Sequence, residues 1–325
     1  MADSTYPGPR RDRRGRSLSL EQQRSARYAN FVTCLKEIVR LEQRPIDDSP
    51  PIDAMLFIGL GAHDPPGKRV CRAVDGLHPR LLELHCPSGD YCRPQRFSIL
   101  STKFPLERLV ISGTTGKDVS IDSNMLARIA TLHLRDSHNL DFSDCPSRVA
   151  LRELILGESD GMDLICRLEQ ETNMLDNLDR LELTSARGDD LRHANGFRPI
   201  DFLWALGRIS GLRILDLCLD HDYIWYNDEL ARMPSYLPDS LECFVFRGPW
   251  MGLADSAPWI TSVQDREWMP LLMEFSFRLD YGPELGNRIE ELSSEERECR
   301  GNSAREIRAA MAEFRPEVRI REEEE

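Results

Sequence analysis

A short apolar spacing recurs eight times along this chain and confines it to a narrow class of folds. In the stretch Leu151 to Leu156, leucines stand at the first, fourth and sixth positions. The spacing returns at Leu81/Leu84/Cys86, Leu106/Leu109/Ile111, Ile129/Leu132/Leu134, Leu178/Leu181/Leu183, Leu212/Leu215/Leu217, Leu241/Phe244/Phe246 and Leu272/Phe275/Phe277, with starts 22 to 34 residues apart. The last two apolar positions of each unit are two residues apart, which suits a short strand sending alternate side chains to one face. The first position turns the chain into that strand. One such unit cannot bury its apolar side alone, whereas stacked neighbours can.

Between the strands lie segments with helical character: Pro94–Lys103, Asp122–Ile129, Met162–Leu175 and Pro199–Ile209. Strand then helix at this period implies right-handed crossovers and parallel strands. The reading is an α/β solenoid with parallel strands on the concave face and helices or irregular segments on the convex face. Alternation sends Leu154 and Leu156 inward and Glu153 and Ile155 to the open face.

The flanks read differently. Residues 1–18, with Arg10, Arg11, Arg13, Arg14 and Arg16, are expected as a disordered basic tail, and residues 322–325 as an acidic one. Residues 19–79 read as a helical N-terminal cap and a degenerate first repeat. Leu20, Ala26, Phe31, Leu35, Ile38, Val39 and Leu41 approximate one helix face, while Ile52, Met55 and Phe57 repeat the strand spacing faintly. The solenoid then occupies residues 80–321. It closes with a polar segment over 283–308, a helix at Ile307–Phe314 and a last strand at Val318 and Ile320.

The Leu-x-x-Leu-x-Leu unit at this period resembles a leucine-rich repeat. The Asn or Cys that continues that repeat is replaced here by Thr114, Ser137, Ser159, Ala186, Asp220 and Pro249. Long, uneven repeats and the closing helix and strand resemble the substrate-receptor portion of fungal F-box/leucine-rich-repeat-like proteins, over roughly residues 80–320. The resemblance implies a non-enzymatic protein-interaction scaffold, a substrate-recognition module related to F-box ubiquitin-ligase receptors. No F-box is recognisable: residues 19–41 offer a single helix without its Leu-Pro opening. An F-box-less fragment without independent activity is therefore an alternative reading.

Composition narrows the partners. A formal charge of −13 disfavours nucleic acid and anionic membrane as partners, and no apolar run approaches the ~20 residues that span a bilayer. Nine cysteines without a Cys-x-x-Cys pair, and no Asn-x-Ser/Thr sequon, suit a reducing cytoplasmic or nuclear address. A protein partner is expected, with the chain as a monomer or part of a hetero-complex.

Motifs for chemistry are weak, and no cofactor is expected. Gly61 to Lys68 falls short of a phosphate loop: five residues separate Gly61 from Gly67, and Arg69 stands where a hydroxyl is required. Cys71, His78, His85, Cys86 and Cys92 lack the close ligand pairing of structural zinc sites. His221, flanked by Asp220 and Asp222 and near Asp216, has no nucleophile motif beside it. A hydrolase or metal-dependent enzyme using His221 with Asp216, or the Cys71–Cys92 cluster, is the alternative of another class.

Protein binding has better candidates. Trp225, Trp250, Trp259 and Trp268 lie in the two long segments joining the last three strands. Trp268, just before a strand, reads as packing. Trp225, Tyr226 and Trp250 read as rim anchors, because aromatic rings bury much area with few rotors. The open strand face adds Arg108, His133, Arg135, Arg180, Glu182, Asp216, Arg247, Glu274 and Arg278. Such a mixed-charge wall favours a folded or peptide partner over a polyanion. The residues expected to bind are Trp225, Tyr226, Trp250, Arg135, Arg180, Asp216 and Arg247.

Overall fold

The computed structural model describes residues 54–58, 81–85, 107–112, 119–120, 126–135, 140–141, 148–157, 161–184, 199–219, 229–249, 253, 255–280 and 294–321. Its strands are β1 (Ala54–Ile58), β2 (Leu81–His85), β3 (Arg108–Ser112), β4 (Val119–Ser120), β5 (Thr131–Arg135), β6 (Leu140–Asp141), β7 (Glu153–Gly157), β8 (Arg180–Thr184), β9 (Ile214–Cys218), β10 (Cys243–Pro249), β11 (Glu274–Asp280) and β12 (Arg319–Ile320). The helices are α1 (Gly161–Glu171), α2 (Pro199–Arg208), α3 (Glu229–Arg232), α4 (Ala257–Gln264) and α5 (Ser294–Phe314), with a 3₁₀ turn at Met233–Tyr236.

Ten strands form one sheet in chain order, β1-β2-β3-β5-β7-β8-β9-β10-β11-β12, and every neighbouring pair is parallel. The fold is thus α/β and solenoid-like, with each strand laid beside the one before it. The short parallel pair β4–β6 stands apart from this sheet and has no counterpart in the apolar spacing.

The repeated spacing maps onto the register. Leu109, Leu132, Leu154, Leu181, Leu215, Phe244 and Phe275 pair in one row, and Ile111, Leu134, Leu156, Leu183, Leu217, Phe246 and Phe277 in a second. Both rows are buried. The first-position residues Leu151, Leu178, Leu212 and Leu241 are also fully buried and seat the turn before each strand. One unit is corrected by two residues: Leu82 pairs with Leu109 and Leu84 with Ile111, so Leu84 holds the sixth position, not the fourth. The expected strand at 52–58 exists as β1, with Met55 paired to Leu82 and Phe57 to Leu84.

Each turn repeats one hydrogen-bond device. The carbonyl of the residue before a strand accepts two backbone N–H groups from the next unit. Glu107 O receives Ala130 N (2.7 Å) and Thr131 N (3.0 Å), and Ala130, Arg152, Asp179, Arg213 and Glu242 repeat the arrangement. Backbone groups that would be orphaned at the turns are therefore paired. Side chains add to this: Ser240 Oγ donates to Leu212 O at 2.7 Å, and Asn177 Nδ2 to Val149 O at 3.3 Å.

The predicted helices at 162–175 and 199–209 appear as α1 and α2. α1 buries Met162, Leu164, Ile165 and Leu168, and α2 buries Phe202, Leu203, Leu206 and the following Ile209. α1 stops at Glu171 because the Thr172 hydroxyl donates to Leu168 O (2.6 Å) and accepts from Met174 N (3.2 Å), drawing the backbone into a turn. Cys166 lies wholly inside this layer. Burial first, then the carboxylates of Asp163, Asp201 and Glu169, push its thiol up to about 12, so it stays a protonated packing group at neutral pH. The segment predicted as a helix at Ile307–Phe314 belongs to the longer α5, which begins at Ser294.

The C-terminal core changes material from leucine to aromatic rings. Trp259 is fully buried, its ring centroid 4.7 Å from Phe277, 5.9 Å from Phe244 and 6.3 Å edge-on from Trp268. Both indole N–H groups are satisfied: Trp259 Nε1 donates to Leu230 O and Trp268 Nε1 to Pro234 O, each at 2.9 Å. α5 closes this end. Ser256 Oγ bonds Glu306 at 2.5 Å, and Arg315, 4% exposed, donates to Trp268 O (2.9 Å) and Met269 O (3.3 Å). Met269 sits at φ 43°, a left-handed conformation that costs a side-chain-bearing residue roughly 1–2 kcal/mol. The guanidinium fork helps hold it there.

Candidate protein-interaction surface

Since a strand's side chains alternate, the residues not committed to the core form three rows on the opposite face. The first row runs Arg108, Thr131, Glu153, Arg180, Ile214, Cys243, Glu274 and Arg319. The second contains Val110, His133, Ile155, Glu182, Asp216, Val245 and Ser276, and the third Ser112, Arg135, Gly157, Thr184, Cys218, Arg247 and Arg278. Most of these residues are half-buried, whereas Arg108, Arg135, Thr184, Arg247 and Arg319 are exposed. Glu153 and Ile155 lie on this face as the alternation requires, partly open beside the buried Leu154 and Leu156.

The residues expected to bind from this face are distributed as follows. Arg180 is in the first row, Asp216 in the second, and Arg135 and Arg247 in the third. Glu182 and Asp216 occupy paired positions on adjacent strands and make an acidic centre, with Arg180 joined to Glu182 at 2.9 Å. The Arg180 Nε–H is buried and makes no hydrogen bond among the described residues. Arg247 and Arg278 are paired on β10 and β11, so the acidic centre gives way to basic groups at the strands' C-terminal ends. Arg135 lies on β5, separated from β8 by β7. Its Nε donates to His133 Nε2 at 2.9 Å, which makes that nitrogen an acceptor and assigns the ring proton to Nδ1. His133, Arg135, Asp216, Arg247 and Arg278 all have further interactions within the protein.

Ion pairs lace the turns and the first row. Arg213 grips Glu242 through two 2.7 Å bonds, holding the Glu242 carboxyl below the usual carboxylate range. Arg321 holds Glu274 through both oxygens, and this lowers Glu274 in the same way. The Cys243 thiol donates to Glu274 at 3.7 Å and is pushed up chiefly by burial. A lowered carboxyl in the folded state contributes stability that is present above its ordinary range and lost as pH falls through its folded value. Glu274→Gln should therefore be slightly less stable than the parent chain near pH 7, by at most about 1 kcal/mol because solvent screens an exposed pair. The difference should vanish in acid. Parallel urea melts at the two pH values measure it; a gap that persists at low pH would contradict the assignment.

Trp225, Tyr226 and Trp250 lie outside the described residues, as do His221 and, apart from the backbone of His85, the Cys71–Cys92 cluster. The two predicted tails and the 19–41 helix also lie outside them. Trp259 and Trp268 are core residues; for Trp268 this is the packing role its position implies. Among the described residues no three His, Cys, Asp or Glu side chains could jointly hold a metal, and no helix is long and apolar enough to cross a membrane.

One site was missed by the reading of strands and loops. Trp204 projects from α2 with 60% of its surface exposed. It borders a cleft of about 460 Å³ between α2 and the segment Ser235–Asp239. The signal was available: Phe202, Leu203, Leu206 and Ile209 define the inward stripe of α2, and residue 204 falls off it at helical spacing.

Compared with known proteins, the chain matches no family model, no curated protein and no solved structure.

Proposed function

We propose that this chain is a non-enzymatic protein-interaction scaffold whose open sheet face receives a folded or peptide partner. One observation carries the reading: an acidic centre at Glu182 and Asp216 lies between Arg135 on one side and Arg247 and Arg278 on the other, on strands hydrogen-bonded into a continuous parallel sheet. Charges of both signs in fixed register select a partner by complementarity, not by a single-sign field. The repeat spacing resembles that of leucine-rich repeats, and by that resemblance the partner is a substrate presented for ubiquitin transfer or a component of an adaptor complex.

The test is a double charge reversal, Arg135→Glu with Arg247→Glu, at exposed positions where folding should survive. A partner captured by the parent chain should bind the variant at least tenfold more weakly, with the melting temperature nearly unchanged. Undiminished binding of every captured partner would remove the open face from consideration.

A further inference from the structure

We propose that the cleft beside Trp204 is a second docking site, which takes a lysine or arginine side chain presented by a basic peptide segment of a partner protein. It lies on the helical side of the solenoid and does not depend on the open-face reading.

The argument starts from the groups that line the cleft. Trp204 forms one wall, Tyr236 and Pro238 contribute to the other, and Asp239 lies among them. Gly207 allows the close approach of the two walls: a Cβ at this position would stand 3.2 Å from the Tyr236 carbonyl oxygen. The Trp204 indole has no ring or cation partner among the described residues and stands exposed between the buried Leu203 and Ala205.

The charges decide what such an aromatic wall can receive. Arg208 is already matched, bonded to Glu169 at 2.8 Å. Asp239 is exposed and has no ion pair or hydrogen bond with another described residue. The cleft's uncompensated charge is therefore negative, within a chain of formal charge −13. An anionic ligand would be repelled, and an apolar one would strip water from Asp239 without replacing it. A guanidinium or ammonium group satisfies both features at once, lying on the negative face of the indole while its N–H groups reach the carboxylate.

The probe is a fluorescein-labelled peptide, Gly-Ser-Arg-Gly-Arg-Ser-Gly, titrated with the full chain by fluorescence anisotropy, beside the same peptide with citrulline at both arginine positions. Citrulline keeps the shape and removes the charge. The arginine peptide should bind saturably, with the citrulline peptide at least tenfold weaker. Trp204→Ala and Asp239→Asn should each weaken binding at least fivefold, and the Arg135→Glu/Arg247→Glu chain should bind as the parent does. Both cleft positions are exposed, so melting curves should confirm that the variants are folded. Equal binding by a Trp204→Ala/Asp239→Asn double variant would reduce the attraction to diffuse net charge and overturn the proposal. So would absence of binding at millimolar protein, or a loss confined to the open-face variant. The first two results leave the open-face reading untouched, and the third would place the peptide on that face instead of in the cleft.

Discussion

Trp259→Ala is expected to lower the unfolding free energy by about 3–5 kcal/mol, the range for truncating a large, fully buried aromatic side chain. The loss has two sources. The ring packs against Phe277, Phe244 and Trp268, and neighbouring backbones tied into the sheet cannot collapse far into the void. The indole N–H also satisfies the Leu230 carbonyl, which the substitution leaves without that donor. Trp259→Phe separates the two contributions, since it keeps a ring and removes the donor. That change should cost about 1–3 kcal/mol, the penalty for an unsatisfied buried group. Trp204→Ala supplies the contrast: at an exposed helix position it should shift stability by no more than about 0.5 kcal/mol. Chemical unfolding followed by circular dichroism measures all three. Similar losses for Trp259→Ala and Trp204→Ala would show that the aromatic cluster is not the core of this end.

Arg315→Ala should cost about 3 kcal/mol, because charge-assisted hydrogen bonds contribute roughly 1.5–3 kcal/mol each and two buried carbonyls lose their donor together. The residue is buried while its ionic partner Glu317 is largely exposed, so the carbonyls of Trp268 and Met269 account for most of the effect. Lysine carries the charge without the planar fork, and Arg315→Lys should recover only part of the loss. Local consequences should follow. The backbone bonds Trp268 N to Asp265 O and Leu272 N to Met269 O close the turn that holds Met269 at positive φ. Amide exchange at Trp268 and Leu272 should rise in Arg315→Ala before the rest of the sheet is affected. Uniform acceleration across all strands would show that Arg315 acts only through global stability.

The two largest effects fall at the C-terminal end, and that location has a cause in the sequence. The last two full units carry Phe244/Phe246 and Phe275/Phe277 where earlier units carry leucine or, at position 111, isoleucine. Trp259 packs against Phe244 and Phe277 and meets Trp268 edge-on, so the rings of these units form one aromatic cluster. Spacing alone reads Trp268 as packing, from its place just before a strand, and assigns Trp259 to neither rim nor core. A tryptophan between strands faces inward only if neighbouring units leave it room, and for Trp259 that depends on Phe244, 15 residues before it, and Phe277, 18 residues after it.

The β2 unit shows the same division at a smaller scale. Leu81, Leu82 and Leu84 satisfy the apolar spacing in two phases, and both place a leucine at a core position. Pairing with Leu109 and Ile111 on β3 selects the second phase, because register is a property of two strands. Trp204 was different: its outward position was legible from the helical period. Its cleft was not, since the opposite wall comes from residues 235–239, brought close by the packing of α2 against the turn at Met233–Tyr236.

The sequence by itself determined the positions of β1, β3, β5 and β7 to β12, the inward and outward alternation seen on β7 to β9, and helices α1, α2 and the last turns of α5. All of these follow from local periods of two and 3.6 residues. Only the tertiary structure decided the register of β2, the burial of Trp259, the separate β4–β6 pair and the Arg315 clamp. Each of these depends on groups far apart in the chain meeting across stacked units, where a period carries no information about the neighbour.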